Sequence, residues 1–250
     1  MTIALDQGWL ARDRADVLRD VSLALTPGVT VLLGANGAGK STLMAALLGL
    51  RPLSKGSVRW RGSRVTDRAQ WQQLRRHTGW LPQGFGFPPA MTVADFVVYA
   101  AWLKEVPTRE AEELCAEALD VTQMAALRGR RLGSISGGER QRAGMAAALV
   151  SQPAVLLLDE PTSGLDPIQR ARFHEALQRL TGAGADTGPR VSVLLSTHLF
   201  EDAAATADRI VVLRAGSVAL TLERCDLTSP GGELTVEAVR QATVAFMEPV

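Results

Sequence analysis

Cysteine is almost absent from this 250-residue chain: Cys115 and Cys225 stand alone and far apart. Two isolated thiols give neither a zinc-ligand spacing nor a disulfide framework, so both read as ordinary packing residues. Lysine is nearly as scarce, with only Lys40, Lys55 and Lys104 among 27 basic side chains, and Tyr99 is the one tyrosine. Net charge is small as well. The 27 basic and 26 acidic residues leave +1, which disfavours both a strongly basic nucleic-acid binder and an acidic-tail protein. Long apolar runs are missing too. The longest, Leu43 to Leu50 and Phe96 to Leu103, fall far below the roughly 18 to 20 residues a membrane-spanning helix needs. Asp6 and Asp13 break up the N-terminus, so no secretory signal core is expected. The expectation is a soluble, intracellular chain that binds no nucleic acid.

What is present is enough for a full core. The chain is 46% hydrophobic and 21% charged, well outside the disordered range. Set against a domain size of about 150 residues, its length allows one large domain or two small ones. No repeat, low-complexity tract or long linker divides it. Strands are expected at Thr2 to Leu5, Val17 to Leu25, Val29 to Leu33, Ser57 to Trp60 and Gly79 to Pro82. Helices are expected at Leu43 to Leu50, Val93 to Lys104, Arg109 to Leu119 and Arg140 to Val150, with another after Pro167. The uninterrupted apolar runs Ala154 to Leu158 and Val191 to Leu195 suit a parallel sheet covered on both faces. Gly182 to Pro189 reads as a turn-rich loop. Together these give one α/β core with a helical insertion.

The first chemical signal follows the third strand. Gly34-Ala35-Asn36-Gly37-Ala38-Gly39-Lys40-Ser41-Thr42 lies between a strand and a helix, as a phosphate-binding loop requires. Glycines let the backbone turn sharply, so that consecutive N–H groups converge on phosphate oxygens at a helix N-terminus. Lys40 would reach the β- and γ-phosphates and the Ser41 hydroxyl would bind Mg²⁺. At this composition about 0.003 chance matches to the pattern are expected. The second signal is the apolar strand Val155 to Leu158 running into Asp159 and Glu160. Such a strand sets Asp159 at the sheet's C-terminal edge, where ligands bind. Asp159 can hold Mg²⁺ or one of its waters, and Glu160 can orient or deprotonate an attacking water. Ser136-Gly137-Gly138-Glu139 opens a helix. Taken singly it reads as an N-cap, although free N–H groups and a positive dipole end also suit an anion.

With Gln83 in Leu81-Pro82-Gln83 and His198 in Ser196-Thr197-His198, the order of these motifs resembles the ATP-binding cassette family, in the form that powers membrane transporters. The remaining motifs are Ile135-Ser136-Gly137-Gly138-Glu139-Arg140, Leu158-Asp159-Glu160-Pro161 and Ser163-Gly164-Leu165-Asp166. They run in family order over residues 34 to 198. The resemblance implies a P-loop NTPase core with a mostly parallel sheet and an N-terminal antiparallel β portion. It also implies a helical subdomain inserted over roughly 84–151, all within a single ATP-binding domain spanning 1–250. It implies ATP and Mg²⁺ as ligands, and a second ATP-binding subunit paired head to tail. Each ATP would then lie between one chain's Gly34 to Thr42 and its partner's Ser136, Gly137 and Gly138. Gln83 would sense Mg²⁺ and link to a transmembrane permease, Asp166 would bridge the subunits, and His198 would contact the γ-phosphate.

Two departures stand out. Ile135 and Glu139 replace the leucine and glutamine more usual in the family, and no tyrosine lies upstream to stack on adenine. Trp9 is the aromatic candidate for that stacking, or else a packing residue. The implied function is an ATP-hydrolysing subunit at the cytoplasmic face of a membrane. The stretch Leu81 to Pro88 with Met91-Thr92-Val93 resembles cassettes of bacterial exporters; the bland reading is that Phe85 and Phe87 only pack the loop against the helical insertion. The rival function is a soluble cassette ATPase, for example in iron–sulfur assembly or repair.

Overall fold

The computed structural model describes residues 2–12, 15–181, 191–228 and 233–247; the loop expected at Gly182 to Pro189 lies outside them. In chain order the elements are β1 (Ile3–Arg12), β2 (Ala15–Leu25), β3 (Gly28–Leu33), α1 (Lys40–Leu47), β4 (Lys55–Trp60) and β5 (Ser63–Arg64). Then come α2 (Arg68–Arg76), β6 (Thr78–Leu81), α3 (Val93–Leu103), α4 (Thr108–Val121), α5 (Gly137–Leu149), β7 (Val155–Asp159) and α6 (Pro167–Thr181). The chain continues through β8 (Ser192–Thr197), α7 (Phe200–Thr206), β9 (Arg209–Arg214), β10 (Ser217–Glu223), α8 (Arg224–Leu227) and α9 (Val236–Met247).

The strands form two sheets. One is antiparallel, in the order β2-β1-β4-β5; the other runs β10-β9-β3-β8-β7-β6. In the larger sheet β10 and β9 are antiparallel and every other neighbouring pair is parallel. This is the mixed α/β architecture expected from the sequence. Every residue of β7 and β8 is buried, because layers of structure cover both faces of the sheet.

Strand alternation sends neighbouring residues to opposite faces. Val31, Leu33, Leu156, Leu158, Val193 and Leu195 join the core shared with α3 to α6 and α9. Leu32, Val155, Leu157 and Leu194 join the core shared with α1 and the antiparallel sheet.

Two expectations change in extent. β1 runs to Arg12 rather than ending at Leu5, so Trp9 lies within it. Its register shifts at Leu5, Gly8 and Leu10, and Gln7 takes φ +47°, as bulged strands do. α2 appears where no helix was expected. It is capped by Asp67, whose side chain accepts from the Gln70 N–H, and Leu74 is its one fully buried residue.

The parallel register sets the site. Leu33 pairs with Thr197, Asp159 with Ser196 and Leu81 with Leu158. The segments that follow β3, β8, β7 and β6 therefore leave the sheet at one edge. They begin with Gly34, His198, Glu160 and Pro82.

Candidate nucleotide site

The loop after β3 is forced to be glycine-rich by its surroundings. Gly39 has φ +106°, and a Cβ there would lie 3.0 Å from the Val17 carbonyl oxygen. At Gly34 a Cβ would fall 2.5 Å from the Leu213 carbonyl oxygen. Gly39 is the N-cap of α1 and offers no side-chain cap, and the first turn of α1 carries no acidic residue. The first-turn N–H groups, through Thr42, are thus left for an external acceptor at the positive end of the helix dipole. Gly34, Asn36, Gly37 and Ala38 complete this turn, with Gly37 at φ +85°.

Lys40 is 6% exposed and its ammonium is fully engaged. Nζ donates to the Gly34 carbonyl at 2.7 Å and to the Ala35 carbonyl at 3.1 Å. It also forms an ion pair with Glu160 Oε1 at 2.9 Å. Glu160 Oε2 lies 2.7 Å from His198 Nδ1. A chain of three functional groups, contributed by α1 and the ends of β7 and β8, is thereby assembled. Glu160 sits at φ +50°, an uncommon backbone conformation that costs about 1–3 kcal/mol and concentrates at functional sites. Two bonds hold it there: its N–H donates to the Ser196 carbonyl at 3.1 Å and to Ser196 Oγ at 3.0 Å.

Asp159 is buried and accepts from the Ser196 hydroxyl through Oδ1 at 2.6 Å. Ser41 and Gln83 are exposed, Ser41 in the first turn of α1 and Gln83 just beyond β6. Among the described residues no group of three or more His, Cys, Asp or Glu is placed to hold a metal by itself. The Ser41 hydroxyl, the Asp159 carboxylate and the Gln83 carbonyl are all hard oxygen donors, few in number. That set fits Mg²⁺, which favours one or two carboxylates plus substrate phosphates over an all-protein cage.

Ser136 and Gly138 belong to a second group. Ser136 is the N-cap of α5: its Oγ accepts from the Glu139 N–H at 3.2 Å, and its own N–H donates to Glu139 Oε2 at 2.7 Å. The N-cap reading of Ser136 therefore holds, and it leaves the hydroxyl proton free to be donated. The hydrogen bond from the Ser136 backbone holds the Glu139 carboxyl below its usual range, against a smaller opposing effect of burial. Gly137 has open space around it, whereas a Cβ on Gly138 would lie 2.7 Å from Gln169 Cγ. Gln169, on α6, also accepts from Arg142 Nη1 at 2.7 Å and donates its N–H to Asp166 Oδ1 at 2.9 Å. The start of α5 and Asp166 are thus joined through one residue, Gln169, by its side chain on one side and its backbone N–H on the other.

Among the described residues, Trp9 is joined to neither group by a hydrogen bond or ring contact. It pairs with Lys55 on β4, the Lys55 ammonium lies 5.6 Å from the centre of its ring, and its carbonyl accepts from the Ser54 N–H. The residues that reach Gly39 from the antiparallel sheet are Val17 and Leu18. Phe85 and Phe87 pack: Phe85 stacks on Phe96 of α3 at 6.1 Å, Phe87 lies 6.2 Å from Phe85, and Arg140 covers Phe87. Motif reading gave no role to Ser196, Gln169 or Asp202. Asp202 is buried and accepts from Thr162 Oγ1, Thr197 Oγ1 and His174 Nε2. A groove of about 740 Å³ is lined by residues such as Thr2, Ala154 and Val191 that precede β1, β7 and β8. It therefore opens at the opposite edge of the sheet from Lys40.

Comparison with known proteins agrees with this geometry. The sequence model described as ABC transporter matches residues 18–163. The methionine import ATP-binding protein MetN of Cupriavidus necator is 38% identical over 207 residues, covering 82% of this chain and 59% of that protein. The Nod factor export ATP-binding protein I of Rhizobium meliloti is 33% identical over 218 residues, covering 86% of this chain and 63% of its own length. The chain thus spans less than two thirds of the curated relatives it matches. A dimeric bacterial ABC transporter cassette shares the fold, with a TM-score of 0.77 at 23% identity over 88% of this chain and 98% of that one.

Proposed function

This chain belongs to the ABC transporter family, and on that premise we propose that it is an ATP-hydrolysing subunit that drives a separate transmembrane permease. The observation that carries the reading is the run of contacts from Lys40 through Glu160 to His198 at the mouth of a phosphate loop. Ser41, Asp159 and Gln83 would hold Mg²⁺, which would supply neutralisation of the phosphate charge. The chain's own residues do the rest. All three Lys40 donors are already used, so a bound phosphate must take the place of one acceptor. Exchange of Glu160 for a phosphate oxygen keeps the ammonium paired and frees Glu160 Oε1 for water. Glu160 then accepts a proton as the water oxygen bonds to the γ-phosphorus and the bond to the bridging oxygen of ADP breaks. His198 holds the other carboxylate oxygen and faces the γ-phosphate.

The site is completed by a second cassette. Ser136, Gly137 and Gly138 open α5 beside α6 and Asp166, in a group separate from Lys40, and offer N–H groups and a hydroxyl to an anion brought by a partner. Asp166 then bridges the two subunits. We read residues 1–250 as one such ATP-binding domain, with the helical subdomain at roughly 84–151. No helix among the described residues is long and apolar enough to cross a membrane; we assign the permease to a separate chain or segment and this domain to its cytoplasmic face, on the family membership alone. Export is the direction we assign, on the likeness to the Nod factor export protein. The likeness to the methionine import protein supports the opposite direction, and the side on which substrate accumulates in reconstituted vesicles decides between them. Adenine stacking by Trp9 gains no support from its place under Lys55.

The direct test of hydrolysis is Glu160→Gln. It keeps shape while removing the basic carboxylate, so ATP binding should persist while steady-state hydrolysis falls about 100-fold or more. Near wild-type hydrolysis would show that Glu160 is not the base.

A further inference from the structure

We propose that Asp202 is a positioning residue for hydrolysis, its buried carboxylate fixing at once the loop that carries Glu160 and the turn that carries His198. The inference rests on the hydrolytic reading above and adds residues to it. Asp202 has no exposed surface, and Thr162 and Thr197 are each 1% exposed. A carboxylate so placed is costly unless hydrogen bonds satisfy it. Three donors do so. Thr162 Oγ1 and Thr197 Oγ1 both donate to Oδ2 at 2.6 Å, and His174 Nε2 of α6 lies 2.9 Å from Oδ1. An ionised carboxylate only accepts, so Nε2 of His174 carries a proton.

The sequence positions of the two threonines make this network more than a packing device. Thr162 lies two residues after Glu160, in the turn where the Ser163 N–H donates to the Glu160 carbonyl. Thr197 immediately precedes His198. Its hydroxyl oxygen also accepts from the Leu199 N–H at 3.1 Å, so the residues on both sides of His198 are pinned to one hydroxyl. A single oxygen of Asp202 thus ties the two segments together a second time, beyond the bonds from the Glu160 N–H to Ser196. The 2.7 Å contact from His198 Nδ1 to Glu160 Oε2 spans the same pair of segments. Loss of one threonine hydroxyl leaves both side chains present and the Glu160–Ser196 bonds intact, but loosens the placement of Glu160 against His198. Among the described residues Asp202 forms no hydrogen bond or ion pair with Lys40 or the phosphate loop, so its effect should fall on turnover rather than on nucleotide affinity.

The test is steady-state ATP hydrolysis by Thr197→Val, which removes the hydroxyl and keeps the shape, alongside Thr197→Ser, Asp202→Asn and His198→Ala. Thr197→Val should lower kcat by about tenfold or more with KM for ATP within about twofold, the effect of a misplaced catalytic group. Thr197→Ser, which restores the donor, should recover most of it. Asp202→Asn should behave like Thr197→Val if it folds, and Thr197→Val keeps the question open to test if it does not. In the His198→Ala background, Thr197→Val should change kcat by less than about twofold, because the group it positions is gone. Wild-type kcat in Thr197→Val, or its full loss repeated in the His198→Ala background, would overturn the proposal. Hydrolysis that His198→Ala alone reduces supports the functional reading whatever Thr197→Val does, so the two claims fail separately.

Discussion

Lys40 has three donors, and the chain supplies an acceptor for each: two carbonyls of its own loop and the Glu160 carboxylate. The motifs at this scale are legible in sequence because their chemistry fixes local spacing. Glycines and a lysine must lie within one turn of chain, and a carboxylate must follow an apolar strand. Two partners of Asp202 are not legible, since Thr162 lies 40 positions away and His174 28; the register of β7 against β8 and the packing of α6 on α7 bring them together. Trp9 shows the opposite failure, an aromatic of suitable type that sits under Lys55. Trp9→Ala should therefore lower thermal stability without nucleotide and leave ATP affinity unchanged. A loss of about 1–3 kcal/mol of binding, the scale of base–aromatic stacking, would restore it as the adenine contact. Asp202 also predicts a pH dependence. Burial pushes its pKa up, but bonds from His174, Thr162 and Thr197 together outweigh this and leave it below the usual 3.8. A depressed carboxyl stabilises the fold above its unfolded value and loses that contribution as pH falls through the lower folded value. The stability gap between wild type and Asp202→Asn, measured by denaturant unfolding, should be widest near neutral pH and narrow below about pH 4. A gap constant across that window would contradict the assignment.

Elements with a clear period were readable, and those without one were not. The buried runs of β7 and β8 follow from uninterrupted apolar sequence. α2 is polar on most of its surface, with Leu74 alone fully buried; its one legible signal was Asp67 followed three residues later by Gln70, a capping box. The far half of β1 hid behind Asp6, Gln7 and Gly8, residues tolerated because the strand bulges there. No motif lies beyond His198, yet β9 buries Ile210 to Leu213, a run long enough to have been read. Packing between α5 and α6 carries the prediction at this scale. Gly138→Ala places a Cβ against Gln169 and should cost about 1–3 kcal/mol of stability, the range for overpacking. Combined with Gln169→Gly, which also removes the Cβ that would lie at 2.8 Å, the loss should be smaller than the sum of the two single losses by at least about 0.5 kcal/mol. Strict additivity in thermal or denaturant unfolding would mean that the two residues do not compete for space.

At the scale of the whole molecule, the candidate site residues form two groups, and no hydrogen bond or ion pair joins them among the described residues. Lys40, Glu160 and His198 gather at the C-terminal edge of the parallel sheet. Ser136, Gly138, Gln169 and Asp166 gather where α5 and α6 begin. The order of motifs along the chain was visible in sequence; their separation in space was not, because it depends on how the helical insertion packs against α6. On the proposed reading, a phosphate loop without the Ser136–Gly138 segment at its own mouth is an incomplete hydrolytic site, and a second cassette would supply what is missing. The decisive measurement is ATP hydrolysis by two inactive variants, alone and mixed. Lys40→Ala spoils a chain's own phosphate loop and leaves its signature usable by a partner. Ser136→Arg does the reverse, setting a bulky cation where the partner's γ-phosphate lies. Each homodimer then has two damaged sites, whereas a mixed dimer has one intact site and one doubly damaged. The account predicts little activity from either variant alone and partial recovery on mixing. Full activity of the Ser136→Arg homodimer, or no recovery when mixed dimers are shown to form, would contradict it.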